Sequence, residues 1–313
     1  MRPRVDALLL AALGALAACT PGTDERPPHA SRGRTIDTAA LMDTVRTLAA
    51  PDMAGRRTGT PGGEKARDWV RARFARIGLP PAGPDYLLPF RVTSRAGETL
   101  EGANVAAICE GAAHRGRTIV VSAHYDHLGV HDGQTYHGAD DNASGLAVLL
   151  DLARLCREQP FQHTMVFVAF DAEEQGLKGA RAFVGSPPVP RDGVALNVNL
   201  DMVARGDRGE LYAAGTYHYP ALKPPLEEVA AKAPITLLLG HDRPGTGQDD
   251  WTLLSDHGPF HEADIPFVYF GVEDHPDYHK PTDTPEKIDA AFFGGAAATI
   301  LDAIAALDQR LGN

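Results

Sequence analysis

An unbroken apolar run from Met165 to Phe170 leads through Asp171 and Ala172 into two adjacent glutamates, Glu173 and Glu174. A run of that length reads as a strand buried on both faces, which requires a sheet covered by helices on either side. Two carboxylates at its exit are costly to bury unless positive charge meets them. The same placement recurs along the chain. His124-Tyr-Asp126 closes one apolar run, Asp201 closes another, Gly138-Ala-Asp-Asp-Asn142 precedes a helical pattern, and His279 lies beyond a further run. Open α/β sheets gather ligand sites at the C-terminal ends of their strands. Imidazoles and carboxylates are zinc ligands, so these positions can supply a pair of zinc ions. One glutamate is left over to carry protons, which points to metal-assisted hydrolysis.

Strand candidates fall at 104–109, 118–123, 164–170, 195–200, 210–213, 235–239 and 266–270, with helical patterns at 144–157, 179–184, 219–232 and 286–311 between and after them. The alternation predicts a three-layer α/β/α sandwich around a mostly parallel, mixed central sheet. Two helices should precede it. Asp37 caps the first, through about residue 50. The second opens at Gly62-Gly-Glu64, buries a face of Trp69, Val70, Phe74 and Ile77, and stops at Gly78. The stretch 79–117 is too short for an inserted domain of ordinary size, and no internal repeat is visible.

Residues 1–18 stand apart. Arg2 and Arg4 precede an apolar stretch that ends at Cys19, the pattern of a signal peptide, and that stretch falls short of the roughly 20 residues a spanning helix needs. Leu16-Ala-Ala-Cys19 resembles a bacterial lipobox, which implies a lipid anchor at Cys19 as the sole membrane attachment and a protein facing the periplasm or cell surface; cleavage at an Ala-rich site, releasing soluble protein, is the alternative. Residues 19–35 read as a lipidated, flexible tether, and 36–313 as the folded domain. A formal charge of −11, without runs of Lys or Arg, excludes nucleic acid as a partner. After cleavage only Cys109 and Cys156 remain within the domain, and buried free thiols are expected for both.

Taken singly, the candidate ligands are ambiguous. His124 and Asp126 share one side of a strand, so one can bind metal while the other orients it, yet a histidine at a strand end is often structural. At Asp140-Asp-Asn142, helix capping accounts for one carboxylate, and its neighbour would be repelled unless a cation lay between them. Asp201 reads equally well as a structural acceptor, and His279 as an ordinary loop histidine.

Several blocks nevertheless resemble the zinc aminopeptidases of the M28 metallopeptidase family over roughly residues 50–300. They are Ala123-His-Tyr-Asp126, Gly138-Ala-Asp-Asp-Asn-Ala-Ser-Gly145, Phe170-Asp-Ala-Glu-Glu-Gln-Gly176, Asn199-Leu-Asp-Met202, Ser255-Asp-His257 and Tyr278-His-Lys-Pro-Thr-Asp-Thr284. The resemblance implies a zinc-exopeptidase-like fold holding two Zn2+ per chain. Asp141 would bridge them, with His124 and Asp201 completing one site and Glu174 and His279 the other. Glu173 would be the general base, taking a proton from a water between the metals and returning it to the departing amine. Asp126 would orient His124, and Tyr278 would donate a hydrogen bond to the tetrahedral oxyanion. Asp141 is preferred to Asp140 because it occupies the family's ligand column. That leaves capping or support to Asp140.

The implied substrates are peptides with a free amino terminus. A carboxypeptidase or dipeptidase of the same fold is an alternative, as is a glutaminyl cyclase working with one zinc. A binding protein that has lost the chemistry is disfavoured, because every ligand column is filled. Ser255, Asp256 and His257 are not read as a catalytic triad, since no Gly-x-Ser-x-Gly elbow exists, and are expected to support the pocket. Core packing is the expectation for Trp251 and Phe260, and residue preference rests with loops such as 241–251.

Overall fold

The computed structural model describes residues 33–93 and 99–312. The proposed signal segment, Cys19 and most of the tether therefore lie outside the described residues. Two helices come first, α1 (Thr38–Leu48) and α2 (Pro61–Ile77). The Asp37 side chain accepts from Ala40 N to start α1, Thr60 accepts from Gly63 N to start α2, and Gly78 ends α2 at a φ of 80°. Val70 and Phe74 are fully buried, while Trp69 and Ile77 only flank the core.

Strands follow in the order β1 (Leu87–Thr93), β2 (Thr99–Cys109), β3 (His114–His124), β4 (Val130–His131), β5 (Gln134–Thr135), β6 (His163–Phe170), β7 (Val194–Leu200), β8 (Glu210–Ala214), β9 (Thr236–Leu239) and β10 (Phe267–Gly271). Between and after them run α3 (Gly145–Glu158), α4 (Lys178–Gly185), α5 (Lys223–Ala230), α6 (Gly258–Glu262) and α7 (Ala290–Arg310). Eight strands form one sheet ordered β1-β2-β6-β3-β7-β10-β8-β9, and β4 and β5 make a separate hairpin. The centre from β6 through β3 and β7 to β10 is parallel. Antiparallel pairings join β1 to β2, β2 to β6, and β10 to β8.

Strand alternation divides the core in two. Met165, Phe167 and Ala169 of β6, with Ile119, Val121 and Ala123 of β3, meet α1, α2, α3 and α7 on one face. Val166, Val168 and Phe170 point the other way, onto Phe183 of α4 and Phe260 of α6. This is the expected three-layer sandwich, and Phe260 belongs to its core. By length and composition α7 would pass for a membrane span, but 67% of its apolar window is buried in the fold.

The small β4–β5 hairpin and the short helix α6 were not among the expected elements, and three further details depart from expectation. β1 was not foreseen; it is an edge strand that contains Pro89, a residue that argues against a central strand and is tolerated at an edge. α5 is shorter than the pattern over 219–232, because Pro224 and Pro225 confine its start to Lys223. Cys109 and Cys156 are not free thiols. They form a disulfide with a Cα–Cα distance of 6.4 Å. Their distance in sequence concealed this, since the end of β2 and the last turn of α3 meet only in the folded chain.

Candidate metal centre

The parallel register explains where the site forms. His124 ends β3 opposite Phe170 of β6, and Ser122 pairs with Asn199 of β7, so two residues further on His124 and Asp201 emerge side by side. Glu173 and Glu174 leave the same edge just beyond β6. Asp141 arrives on the turn Ala139–Ser144, which contains a cis Asp141–Asn142 peptide bond. Several contacts fix that turn. Asn142 donates to Leu200 O at 2.8 Å, and the Asp283 carboxylate accepts from Asp140 N and Asp141 N at 3.0 and 3.2 Å. His279 comes from the loop after β10.

These side chains make two donor sets that share Asp141. Asp141 Oδ1 lies 3.4 Å from His124 Nε2, which is 3.2 Å from Asp201 Oδ1. Asp141 Oδ2 lies 3.1 Å from His279 Nε2, which is 3.3 Å from Glu174 Oε2. One carboxylate thus offers an oxygen to each set. The His124 ring is oriented too, because Nδ1 donates to the Asp126 carbonyl at 3.1 Å, which leaves Nε2 as the nitrogen facing Asp141 and Asp201. Asp126 therefore meets His124 through its main chain. Its carboxylate is 3.7 Å from His124 Nδ1 and accepts from Glu173 N at 3.1 Å. Asp140 turns away, accepting from Ala204 N at 2.8 Å and lying 3.2 Å from His275 Nε2.

His127 escaped the sequence reading. Its ring is buried, with Nδ1 2.7 Å from Glu174 Oε1 and 3.7 Å from Asp141 Oδ2. The only signal was a second histidine in His124-Tyr-Asp-His127, and a loop sequence does not say which of its residues turns inward. Ser255 donates to Asp201 Oδ2 at 2.6 Å and receives a bond from Asn199 at 2.9 Å, so it supports Asp201 and activates nothing. His257 donates instead to Trp251 O at 2.9 Å, and burial lowers its pKa to about 3. Trp251 stacks on His241 at 3.7 Å. Tyr278 stacks on His279 with ring centroids 3.9 Å apart.

Electrostatics sort the carboxylates. Burial pushes Asp141 up, but His127, His124 and His279 outweigh it and hold the group well below the carboxylate range. Burial and Asp141 raise Glu174, and hydrogen bonds from His127 and His279 more than offset them. Burial drives Glu173 well above the range; His124 opposes the rise while Asp256, Asp201 and Glu174 add to it. Asp256, buried with neither oxygen partnered, is raised to about 8, by burial first and then Asp201. This crowding of negative charge, ringed by imidazole nitrogens, fits zinc in donor type and in charge. A third grouping, His241 with Asp249 and Glu273, fits less well. Each nitrogen of its single imidazole already faces a different carboxylate, at 2.9 and 3.3 Å.

Comparison with known proteins agrees with this geometry. The alkaline phosphatase isozyme conversion protein of Escherichia coli (strain K12) is 30% identical over 199 residues, covering 58% of this chain and 55% of that protein. Aminopeptidase YwaD of Bacillus subtilis (strain 168) is 32% identical over 186 residues, covering 54% and 36%. The chain thus matches about half or less of the length of these relatives. Among solved structures, BSAP, a zinc aminopeptidase from Bacillus subtilis, superposes with a TM-score of 0.69 at 19% identity, covering 87% of this chain and 96% of that one. Porphyromonas gingivalis glutaminyl cyclase gives 0.68 at 20% identity, covering 87% and 98%. At such identities the likeness is one of fold, and it does not separate peptidase from cyclase. The sequence does more: residues 104–304, which include all five candidate ligands, match the model of Peptidase family M28, and the chain belongs to that family.

Proposed function

We propose that this protein is a zinc-dependent aminopeptidase that removes amino-terminal residues from peptides using two zinc ions. The observation that carries the reading is the division of Asp141, one oxygen facing His124 and Asp201 and the other facing His279 and Glu174. When bound, zinc supplies Lewis acidity, acidifying water and polarising a carbonyl. The chain's own residues would do the rest. Glu173, its main chain anchored on Asp126, takes the proton from the attacking water and delivers it to the departing amine. Its elevated pKa suits a group that must both accept and release a proton. Burial and the carboxylates of Asp141, Asp201 and Glu174 raise the Tyr278 pKa, so its hydroxyl keeps its proton and can donate to a developing oxyanion.

The test is turnover of aminoacyl anilides with and without a chelator, alongside elemental analysis of bound metal. Two zinc ions per chain and chelator-sensitive cleavage of free-amine substrates are expected. Cleavage of acylated or dipeptidyl substrates alone would move the reading to another exopeptidase. One zinc per chain with pyroglutamate formation would make it a cyclase, which the shared fold permits. We further propose export, with a lipid anchor at Cys19. The Cys109–Cys156 disulfide supports an oxidising compartment.

A further inference from the structure

Beneath the candidate centre lies a charged side chain that the proposed reaction does not use. Arg56 is 0% exposed. Its guanidinium donates to four main-chain carbonyls: Nε to Tyr125 at 2.9 Å, Nη1 to Leu48 and to His137 at 2.7 Å each, and Nη2 to Gly138 at 2.9 Å. Tyr125 sits between His124 and Asp126, while His137 and Gly138 lead into the turn that carries Asp141. One planar group therefore spans the two backbone segments that present the shared ligand and its imidazole partner.

The chain is bent to put it there. Ala54, Gly55 and Arg56 have φ of 46°, 65° and 53°, a left-handed run that residues with a Cβ rarely hold. Strain of this kind persists where the surroundings over-determine it, and it clusters at functional sites. Gly138 completes the fit, since a Cβ there would come within 2.7 Å of Arg56 Nη2. Burial lowers the guanidinium pKa to about 10 against the opposing pull of Asp141, Asp283, Asp126 and Glu174, so it remains charged at neutral pH.

We propose that Arg56 is a positioning residue of the metal centre: by tying the carbonyls beside His124 to those before Asp141, it sets the separation of these two ligands and thereby the affinity for zinc. This rests on reading the centre as a zinc site. Lysine, a compact point charge with three donors, cannot reproduce a flat fork that reaches four carbonyls. The test uses Arg56→Lys and Arg56→Met in the full chain, with zinc affinity measured by competition against a chromophoric chelator and thermal melts recorded with and without zinc.

The expected result is zinc binding weakened by roughly 10- to 100-fold in folded Arg56→Lys, the range found when groups supporting metal ligands are altered. Turnover should recover as zinc is raised to saturation. A variant that folds only with zinc present also supports the proposal, because the metal then restores the spacing Arg56 had set. Wild-type zinc affinity in both folded variants would overturn it, as would variants that fail to fold even with saturating zinc, which would assign Arg56 to the fold at large. If the wild-type protein takes up no zinc, the zinc reading itself fails, and this inference with it.

Discussion

Glu173 and Glu174 are neighbours in the chain, and burial raises both. They part because Glu174 meets His127 and His279, whereas Glu173 faces the carboxylates of Asp256, Asp201 and Glu174 with only His124 in opposition. A carboxylate held low suits a ligand, and one held high suits a proton carrier. Glu173→Gln keeps the shape and removes the base. Zinc content should stay at the wild-type level while turnover falls by roughly 10²- to 10⁴-fold; wild-type rates would remove Glu173 from the mechanism. His279 makes a second prediction at this scale. Burial disfavours its charged form, yet hydrogen bonds to Asp141 and Glu174 raise its pKa to about 10. Zinc requires the neutral ring, so below that pH an entering ion must displace a proton. Each proton displaced in this way should weaken the apparent affinity by up to about tenfold for every unit the pH is lowered. Calorimetry in buffers of different ionisation enthalpy would report the released proton. Affinity independent of pH would show that no proton leaves on binding and that the His279 ring is neutral before zinc enters.

Among the elements, those buried on both faces were the most legible. β6, with all eight residues buried, announced itself as an apolar run, and the carboxylates beyond it were conspicuous for that reason. β1 was hidden by Pro89 and by its half-exposed pattern, the compositional mark of an edge. The disulfide was equally hidden, because it joins β2 to α3 and depends on how those elements pack. Its place in the fold gives a separable prediction. β2 runs antiparallel to β6, and Cys109 pairs with Met165 near the start of β6, so the bridge sits at the sheet edge opposite Glu173. Closing a loop across 47 residues restricts the unfolded chain by about 4 kcal/mol at most. Replacing both cysteines with serine should lower the melting temperature and leave zinc affinity and turnover unchanged. Loss of zinc binding would show that the two edges are coupled.

At the scale of the whole molecule, the five proposed ligands come from separate stretches that only the folded sheet brings together. His124, Glu174 and Asp201 could be placed at one end of the sheet because they follow the parallel strands β3, β6 and β7, whereas the placing of Asp141 and His279, and the choice of all five as ligands, came from the family resemblance. Arg56 and His127 were not legible, because their roles depend on which way a loop side chain turns. The same dispersal predicts how zinc acts on stability. An unfolded chain cannot assemble His124, Asp141, Glu174, Asp201 and His279 around one centre, so zinc binds the native state and draws the equilibrium toward it. At a free concentration a thousandfold above the dissociation constant, that linkage contributes about 4 kcal/mol. In a domain of this size, with an unfolding entropy of about 2.1 cal/mol/K per residue, it corresponds to a rise in melting temperature of roughly 7 °C. Chelation should remove the increment, zinc should restore it, and magnesium, which prefers octahedral oxygen ligation, should not. A melting temperature indifferent to zinc and chelator alike would mean that the cluster of carboxylates and imidazoles holds no metal.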